Sequence, residues 1–139
     1  MASDRIRRNR KTKTVILDSS AILMIFEFSI DIEKELSRIL GSYKIIVPKT
    51  IFKELKNLSE YGSGKKKNIA KPALKLIERY EIVEDKSRFG DDSVIELAKK
   101  YNGIVFSNDK EIRKKAKNEN IKTIFLRGKN YLAISENFI

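Results

Sequence analysis

The stretch Thr14-Val-Ile-Leu-Asp-Ser-Ser-Ala-Ile-Leu23 places one carboxylate between two apolar runs. Residues 14–17 have the apolar, β-branched character of a buried strand. Residues 21–28 are apolar on nearly every side, which predicts a buried helix. Burying an unpaired charge costs several kcal/mol or more, so Asp18 at this junction needs a compensating partner.

The length and composition predict one cytoplasmic domain. The chain has 139 residues, 41% of them apolar, with six Gly, two Pro and no Cys. Its longest apolar run, residues 15–28, is short for a membrane span and is broken by Asp18 and Glu27. The absence of Cys agrees with a reducing compartment. We divide the chain into a basic arm, residues 1–13, and a folded domain, residues 14–139.

The charge balance favours an anionic partner. Thirty Lys and Arg face nineteen Asp and Glu, for a net charge of +11, and a surface this basic attracts nucleic acid. A Lys-, Ile- and Glu-rich composition is also typical of proteins from hot habitats, and the two explanations are compatible. In the arm, Arg7, Arg8 and Arg10 either lie along nucleic-acid phosphates or form a solubilising tail.

Short strand-like runs alternate with segments of helical periodicity, which predicts an α/β fold with a mainly parallel sheet covered on both faces. Pro72 is expected to kink or restart the helix predicted over residues 65–79. Residues 129–139 are too apolar for a free tail and should pack on the domain or on a partner, including a second copy in a homodimer. The predicted strands are residues 15–17, 44–47, 81–83, 103–106 and 123–126.

Acidic residues follow the predicted strands. Asp18 ends the first, Glu54 lies in the helix after the second, Asp91 and Asp92 open the helix after the third, and Asp109 follows the fourth. The carboxyl ends of parallel strands share one edge of the sheet, where ligands bind. Each acid taken alone could be a helix cap or a solvated side chain. Together they predict one acidic cleft.

The residue types limit the chemistry of such a cleft. Clustered carboxylates repel one another unless a cation neutralises them, and hard oxygen ligands without His or Cys favour Mg²⁺ or Mn²⁺. The lack of His excludes a Ser-His-Asp triad, and no Gly-rich phosphate loop is present. An aspartyl phosphatase would need Asp where Ser20 stands. Carboxylates with a metal ion suit attack of water on a phosphodiester.

Four pieces of the chain, in this order, resemble the PIN domain family, and the resemblance extends from Thr14 to about Arg127. The pieces are Val-Ile-Leu-Asp-Ser-Ser (15–20), Val-Pro-Lys-Thr-Ile-Phe-Lys-Glu-Leu (47–55), Gly-Asp-Asp-Ser-Val-Ile (90–95) and Val-Phe-Ser-Asn-Asp (105–109). The resemblance implies a three-layer α/β/α sandwich that cleaves single-stranded RNA with Mg²⁺ or Mn²⁺.

The resemblance also implies roles for individual residues. The family's catalytic acids map to Asp18, Glu54, Asp109 and one of Asp91 and Asp92. We favour Asp91 and keep Asp92 as a further metal ligand or a cap. The remaining predicted site residues are, in support of the acids, Ser19, Ser107 and Glu111, and, for RNA, Lys65, Lys66 and Lys67 together with the arginines of the arm.

Two kinds of relative suggest different partners. VapC-type toxins, which are similar in size, would imply a protein antitoxin, whereas archaeal relatives of ribosomal-RNA-processing nucleases would imply a ribosomal precursor particle. We lean towards a VapC-like metal-dependent endoribonuclease. The alternative is a non-catalytic RNA- or protein-binding module in which the acids only cap helices.

Overall fold

A computed structural model describes residues 12–135, so the predicted RNA contacts of Arg7, Arg8 and Arg10 lie outside the described residues. Six strands form one sheet in the order β3-β2-β1-β4-β5-β6. All neighbours are parallel except β5 and β6. The strands are β1 (Lys13–Leu17), β2 (Tyr43–Pro48), β3 (Glu81–Val83), β4 (Ile104–Phe106), β5 (Thr123–Arg127) and β6 (Tyr131–Ser135).

The central strand β1 joins the two halves of the sheet. It pairs with β2 through Ile16 and Ile46 and with β4 through Leu17 and Phe106, and these four side chains are buried. Strands buried on both faces are apolar without alternation, which explains the continuous run in β1. Lys13, which the charge pattern assigned to the arm, is the first residue of this strand.

Helices cover both faces of the sheet, as the alternating pattern predicted. Parallel crossovers are right-handed, so connections that step towards β2 and β3 and those that step towards β4 and β5 lie on opposite faces. The α/β sandwich with a mainly parallel sheet is therefore confirmed. The helices are α1 (Ser19–Glu27), α2 (Ile32–Leu40), α3 (Lys49–Tyr61), α4 (Gly64–Ile77), α5 (Gly90–Tyr101) and α6 (Lys110–Asn118). No helix within residues 12–135 is long and apolar enough to cross a membrane.

Capping explains where several helices begin. Asp18 and Asp109 each accept an amide hydrogen bond from the first turn that follows, as N-cap residues do. Helix α3 follows Pro48, which has no side chain for this purpose. Asp85, from the loop after β3, accepts the Thr50 amide at 3.2 Å instead. The helix does not restart at Pro72, because α4 continues through this residue without interruption.

Residues 131–135 of the apolar C-terminal segment pack on the domain as the edge strand β6, which the sequence did not predict as a strand, and residues 136–139 lie outside the described residues. Leu132 is buried in the core. Its amide donates to Glu35 of α2 at 2.8 Å, and its carbonyl accepts from Arg38 at 2.7 Å. These two side chains occupy backbone groups that an edge strand would otherwise leave open to another chain.

Candidate active site

The acidic residues lie near the point between β1 and β4 where the strand order of the sheet reverses. Chain connections step away from β1 towards β3 on one side and from β4 towards β6 on the other. Such a switch point opens a crevice at the carboxyl ends of the two central strands. Asp18 directly follows β1, and Ser107 to Asp109 follow β4. Sequence positions 91 residues apart are therefore brought to the same edge.

Asp18 is the buried acid of this crevice, with 2% of its surface exposed. Its Oδ2 accepts hydrogen bonds from the Ser107 hydroxyl at 2.8 Å, the Ser20 amide at 3.3 Å and the Ser20 hydroxyl. Burial raises the pKa of Asp18 above its ordinary value, although these bonds act in the opposite direction. None of the ion pairs within residues 12–135 involves Asp18. Among the residues that the structure describes, the groups that stabilise its charge are hydrogen-bond donors.

The two serines also join the loops on either side of the crevice. The Ser107 hydroxyl accepts the Asp109 amide at 3.0 Å, and the Ser20 hydroxyl accepts the Asn108 amide at 3.2 Å. Asn108 in turn accepts the Leu126 amide of β5 at 2.9 Å. The exposed Asp109 carboxylate accepts the Glu111 amide at 2.8 Å as the cap of α6. This network sets the position of Asp109 relative to Asp18.

Glu54 approaches the crevice from α3. Its Oε2 accepts the Gly90 amide, at the start of α5, at 3.1 Å. Burial raises the pKa of Glu54 most, and the negative charges of Asp18 and Asp91 raise it further, while the Ser19 hydroxyl lowers it through a hydrogen bond. Mutual repulsion of this kind requires that the three carboxylates lie near one another.

The remaining predicted residues lie further out. Lys115 of α6 contacts Asp91 at 3.6 Å and Asp92 at 3.8 Å, and exposed pairs of this kind contribute little to stability. Asp92 lines a groove between α5 and α6. Asp91 is the member of the pair whose negative charge raises the pKa of Glu54. Glu111 is exposed in the first turn of α6.

The three predicted RNA-binding lysines occupy the first turn of α4. Lys65 and Lys66 are exposed, Lys67 is half-buried, and Lys65 pairs with Glu27 of α1 at 3.3 Å.

The donor set fits a hard divalent cation in chemistry and in location. Asp18, Glu54, Asp91 and Asp109 offer only carboxylate oxygens, and they share one edge of the sheet. As the side chains stand, no group of three acids within residues 12–135 converges closely enough to hold an ion. The edge therefore carries carboxylates of the kind that bind Mg²⁺ or Mn²⁺, but these side chains do not converge on one point.

Two residues of the site were missed from the sequence. Ser20 served only to exclude a phosphatase, yet its hydroxyl, rather than that of Ser19, binds Asp18. Its position two residues after an N-cap acid is a local signal that could have been used. Gly90 was quoted only as part of a motif, and its contact with Glu54, 36 residues away, has no local signature.

We expect Ser107→Ala to raise the pKa of Asp18 further, because the Ser107 hydrogen bond lowers it. When folding raises the pKa of an acid, the protein loses stability as the pH rises from the unfolded-state pKa of that acid through its folded-state pKa. The variant should therefore lose more stability than the wild type between acidic and neutral pH, about 1–3 kcal/mol at pH 7. Carboxyl NMR titration and urea unfolding measure both effects.

Ser93→Ala is the matched control. Ser93 is another fully buried serine whose hydroxyl donates a hydrogen bond, here to the Gly90 carbonyl at 2.7 Å. It should lower stability without moving the Asp18 titration. Equal titration curves in the wild type and in Ser107→Ala would contradict the assigned hydrogen bond.

Comparison with known proteins identifies the family. The sequence profile of the PIN like domain matches residues 15–129, which spans all four acidic positions. The chain belongs to the PIN-like domain family. The resemblance drawn from the four sequence pieces is thereby confirmed.

Relatives of this PIN-like domain agree along almost their whole length. Ribonuclease VapC9 of Archaeoglobus fulgidus is 35% identical over 127 residues, which cover 91% of this chain and 92% of the relative. Ribonuclease VapC4 of Methanocaldococcus jannaschii is 30% identical over 124 residues, covering 86% and 95%. Among solved structures, the PIN domain endonuclease Utp24 matches with a TM-score of 0.74 at 19% identity, over 88% of this chain and 91% of that one. The last match supports the fold alone.

Proposed function

We propose that this PIN-like domain is a metal-dependent endoribonuclease that hydrolyses phosphodiester bonds of single-stranded RNA. One observation carries the proposal: Asp18 is a buried carboxylate at the switch point of the sheet, with no cationic partner within residues 12–135, and its charge reaches Glu54. Helix capping explains Asp18 and Asp109 taken singly, but it does not explain why repelling acids share one edge, where each raises the cost of ionising the next. Two relatives that bear the name ribonuclease support the proposal.

The chain's own residues would perform separate tasks. Asp18, Glu54, Asp91 and Asp109 would hold Mg²⁺ or Mn²⁺, with Asp92 as a further ligand. When bound, such an ion lowers the pKa of water and offsets charge on the phosphate. Ser107 and Ser20 keep the Asp18 carboxylate in one orientation, since both hydroxyls donate to the same oxygen, Oδ2. The Gly90 amide orients Glu54 in the same way.

Basic side chains around the acids would hold the RNA backbone. The chain carries a net charge of +11, and phosphate contacts position a nucleic acid without reading its sequence. Lys65, Lys66 and Lys67 on α4 and the arginines of the arm, Arg7, Arg8 and Arg10, are the proposed contacts.

We propose a toxin-type role in the cytoplasm, with a protein antitoxin as partner. Two relatives named VapC support it, because each aligns with this chain over more than nine-tenths of its own length. The alternative role is RNA processing, with a ribosomal precursor particle as partner.

Removal of divalent ions tests the proposal. The wild-type protein should cleave a mixed-sequence, single-stranded RNA when about 1–5 mM Mn²⁺ or Mg²⁺ is present, because the four carboxylates are proposed to act through such an ion. EDTA should reduce the rate to background, and excess Mn²⁺ should restore it. Products resolved on a denaturing gel give the rate.

The rival binding module predicts different results. RNA that binds equally well in EDTA and yields no product at any metal concentration would favour that module and rule out the nuclease. Cleavage that persists at full rate in EDTA would remove the metal from the proposal. Asp18→Asn, prepared in parallel, shows whether any product arises from a contaminating nuclease.

A further inference from the structure

The loop between β3 and α5, residues 84–89, is held in place from both sides. Asp85 accepts the Thr50 hydroxyl at 2.6 Å and the Thr50 amide at 3.2 Å, which ties the loop to the start of α3. Glu96 of α5 accepts the Lys86 amide at 3.0 Å and the Ser87 hydroxyl at 2.7 Å. These four hydrogen bonds hold the six-residue loop in a defined position between α3 and α5.

Beside this loop lies a depression of about 530 Å³, which shares Glu54 with the candidate active site. This volume is within the range of small-molecule sites, about 300–1,000 Å³. Two cations, Lys53 and Arg88, stand on its walls, and both side chains are exposed. Within residues 12–135, neither forms an ion pair. The lining residues are Thr50, Lys53, Glu54, Asn57, Ser87 and Arg88.

An exposed aromatic residue follows the lining residues of the depression in the chain. Phe89 is 66% exposed and follows Arg88 directly. The next residue, Gly90, donates its amide to Glu54, so Phe89 directly precedes the residue that binds a proposed metal ligand. Single exposed apolar residues are ordinary, but this one is on an anchored loop beside free cations and acids. Aromatic faces and cations side by side are the features that bind unpaired nucleotides.

We propose that Phe89, Arg88 and Lys53 form the binding position for one unpaired nucleotide next to the scissile phosphate. Phe89 stacks on the base, while Arg88 and Lys53 contact the phosphate. The inference rests on the proposed ribonuclease function and deepens it, because it explains a preference for single strands. A duplex keeps its bases stacked on one another and leaves none for the ring.

Binding in EDTA tests the position without cleavage. The probes are two fluorescein-labelled 12-nucleotide strands, a mixed-sequence single-stranded RNA and an abasic strand with the same backbone. We expect Phe89→Ala to weaken binding of the RNA by about 10-fold and to leave binding of the abasic strand unchanged. Phe89→Trp should restore the affinity. Arg88→Ala should weaken both strands and reduce the salt slope of log K by about 0.7, since it removes one phosphate contact.

Tyr101→Ala is the matched control, because Tyr101 is 37% exposed at the opposite end of the same helix, α5, about 16 Å away along its axis. It should bind both strands as the wild type does. The stacking role would be overturned if Phe89→Ala bound the RNA with the wild-type affinity. It would also be overturned if the variant lost affinity equally for the RNA and the abasic strand. Arg88→Ala with an unchanged salt slope would overturn the phosphate contact.

Cleavage rates separate this inference from the function on which it rests. With Mn²⁺, Phe89→Ala should raise KM by about 10-fold and leave kcat within about two-fold, because the ring contacts a flanking base rather than the reacting phosphate. If the wild type cleaves RNA and Phe89→Ala has the same KM, only the proposed nucleotide-binding position is overturned. A wild type that neither binds nor cleaves RNA overturns both proposals.

Discussion

Replacing Asp18 with Asn is expected to abolish RNA cleavage and, at the same time, to raise the melting temperature of the metal-free protein. The amide has the same shape and can still accept from the Ser107 and Ser20 hydroxyls, which now bind the carboxylate. It lacks the negative charge that a divalent ion requires. We expect the cleavage rate to fall by about 1,000-fold or more, which exceeds the 10–100-fold typical of residues behind the ligands.

The gain in stability follows from the direction of the Asp18 pKa. Burial raises that pKa above its ordinary value of 3.8, so the folded protein binds the proton more tightly than the unfolded chain does. The contribution of Asp18 to stability is therefore highest below about pH 3.8 and falls as pH rises through the folded-state pKa of Asp18. Asn has no charge to bury, so the variant avoids this loss. At pH 7 its melting temperature should be about 3 °C higher or more.

Calorimetry in EDTA at several pH values measures this difference. Asp31→Asn is the matched control: Asp31 is also an N-cap acid, accepting the Lys34 amide at 3.2 Å, but it is exposed. Because Asn caps a helix about as well as Asp, this variant should change neither melting temperature nor cleavage. A lower melting temperature for Asp18→Asn at neutral pH would contradict the account of Asp18 as a buried, uncompensated charge.

Gly90→Ala should reduce cleavage by about 100-fold with most of the protein still folded. A Cβ at position 90 would lie 2.8 Å from Glu54 Oε2 and 2.8 Å from Ile51 Cδ1. Ile51 is fully buried in the core and has little room to move, whereas the Glu54 side chain reaches the surface. The carboxylate must therefore shift, and a displacement of about 1 Å in a catalytic group can cost about 100-fold in rate.

Comparison with Gly103→Ala separates a loss of positioning from a general loss of stability. A Cβ at position 103 would meet Ile16 Cδ1 at 2.4 Å and the Thr14 carbonyl at 2.9 Å, at the edge of the sheet opposite the acids. It should lower the melting temperature while the folded fraction keeps the wild-type kcat. A Gly90→Ala enzyme with normal kcat would show that the contact between Gly90 and Glu54 has no catalytic importance.

The amino-acid sequence by itself determined the five parallel strands of the sheet and the edge on which the acids lie. Apolar runs such as residues 15–17 and 104–106 carry their own strand signal, because a strand buried on both faces must be apolar throughout. Parallel order then follows from the helices between them, and parallel strands place Asp18 and Asp109 at one edge whatever the details of packing.

Only the tertiary structure decided which groups touch. The hydroxyl of Ser20 rather than that of Ser19 binds Asp18, Asp85 caps a helix 35 residues away, and Glu35 with Arg38 covers the edge strand β6. It also separated Asp91, whose charge acts on Glu54, from Asp92, which faces the groove towards α6. The physical reason is the same in each case. Periodicity reports which face of an element is buried, whereas a hydrogen bond between distant loops depends on distances that exist only after the layers have packed.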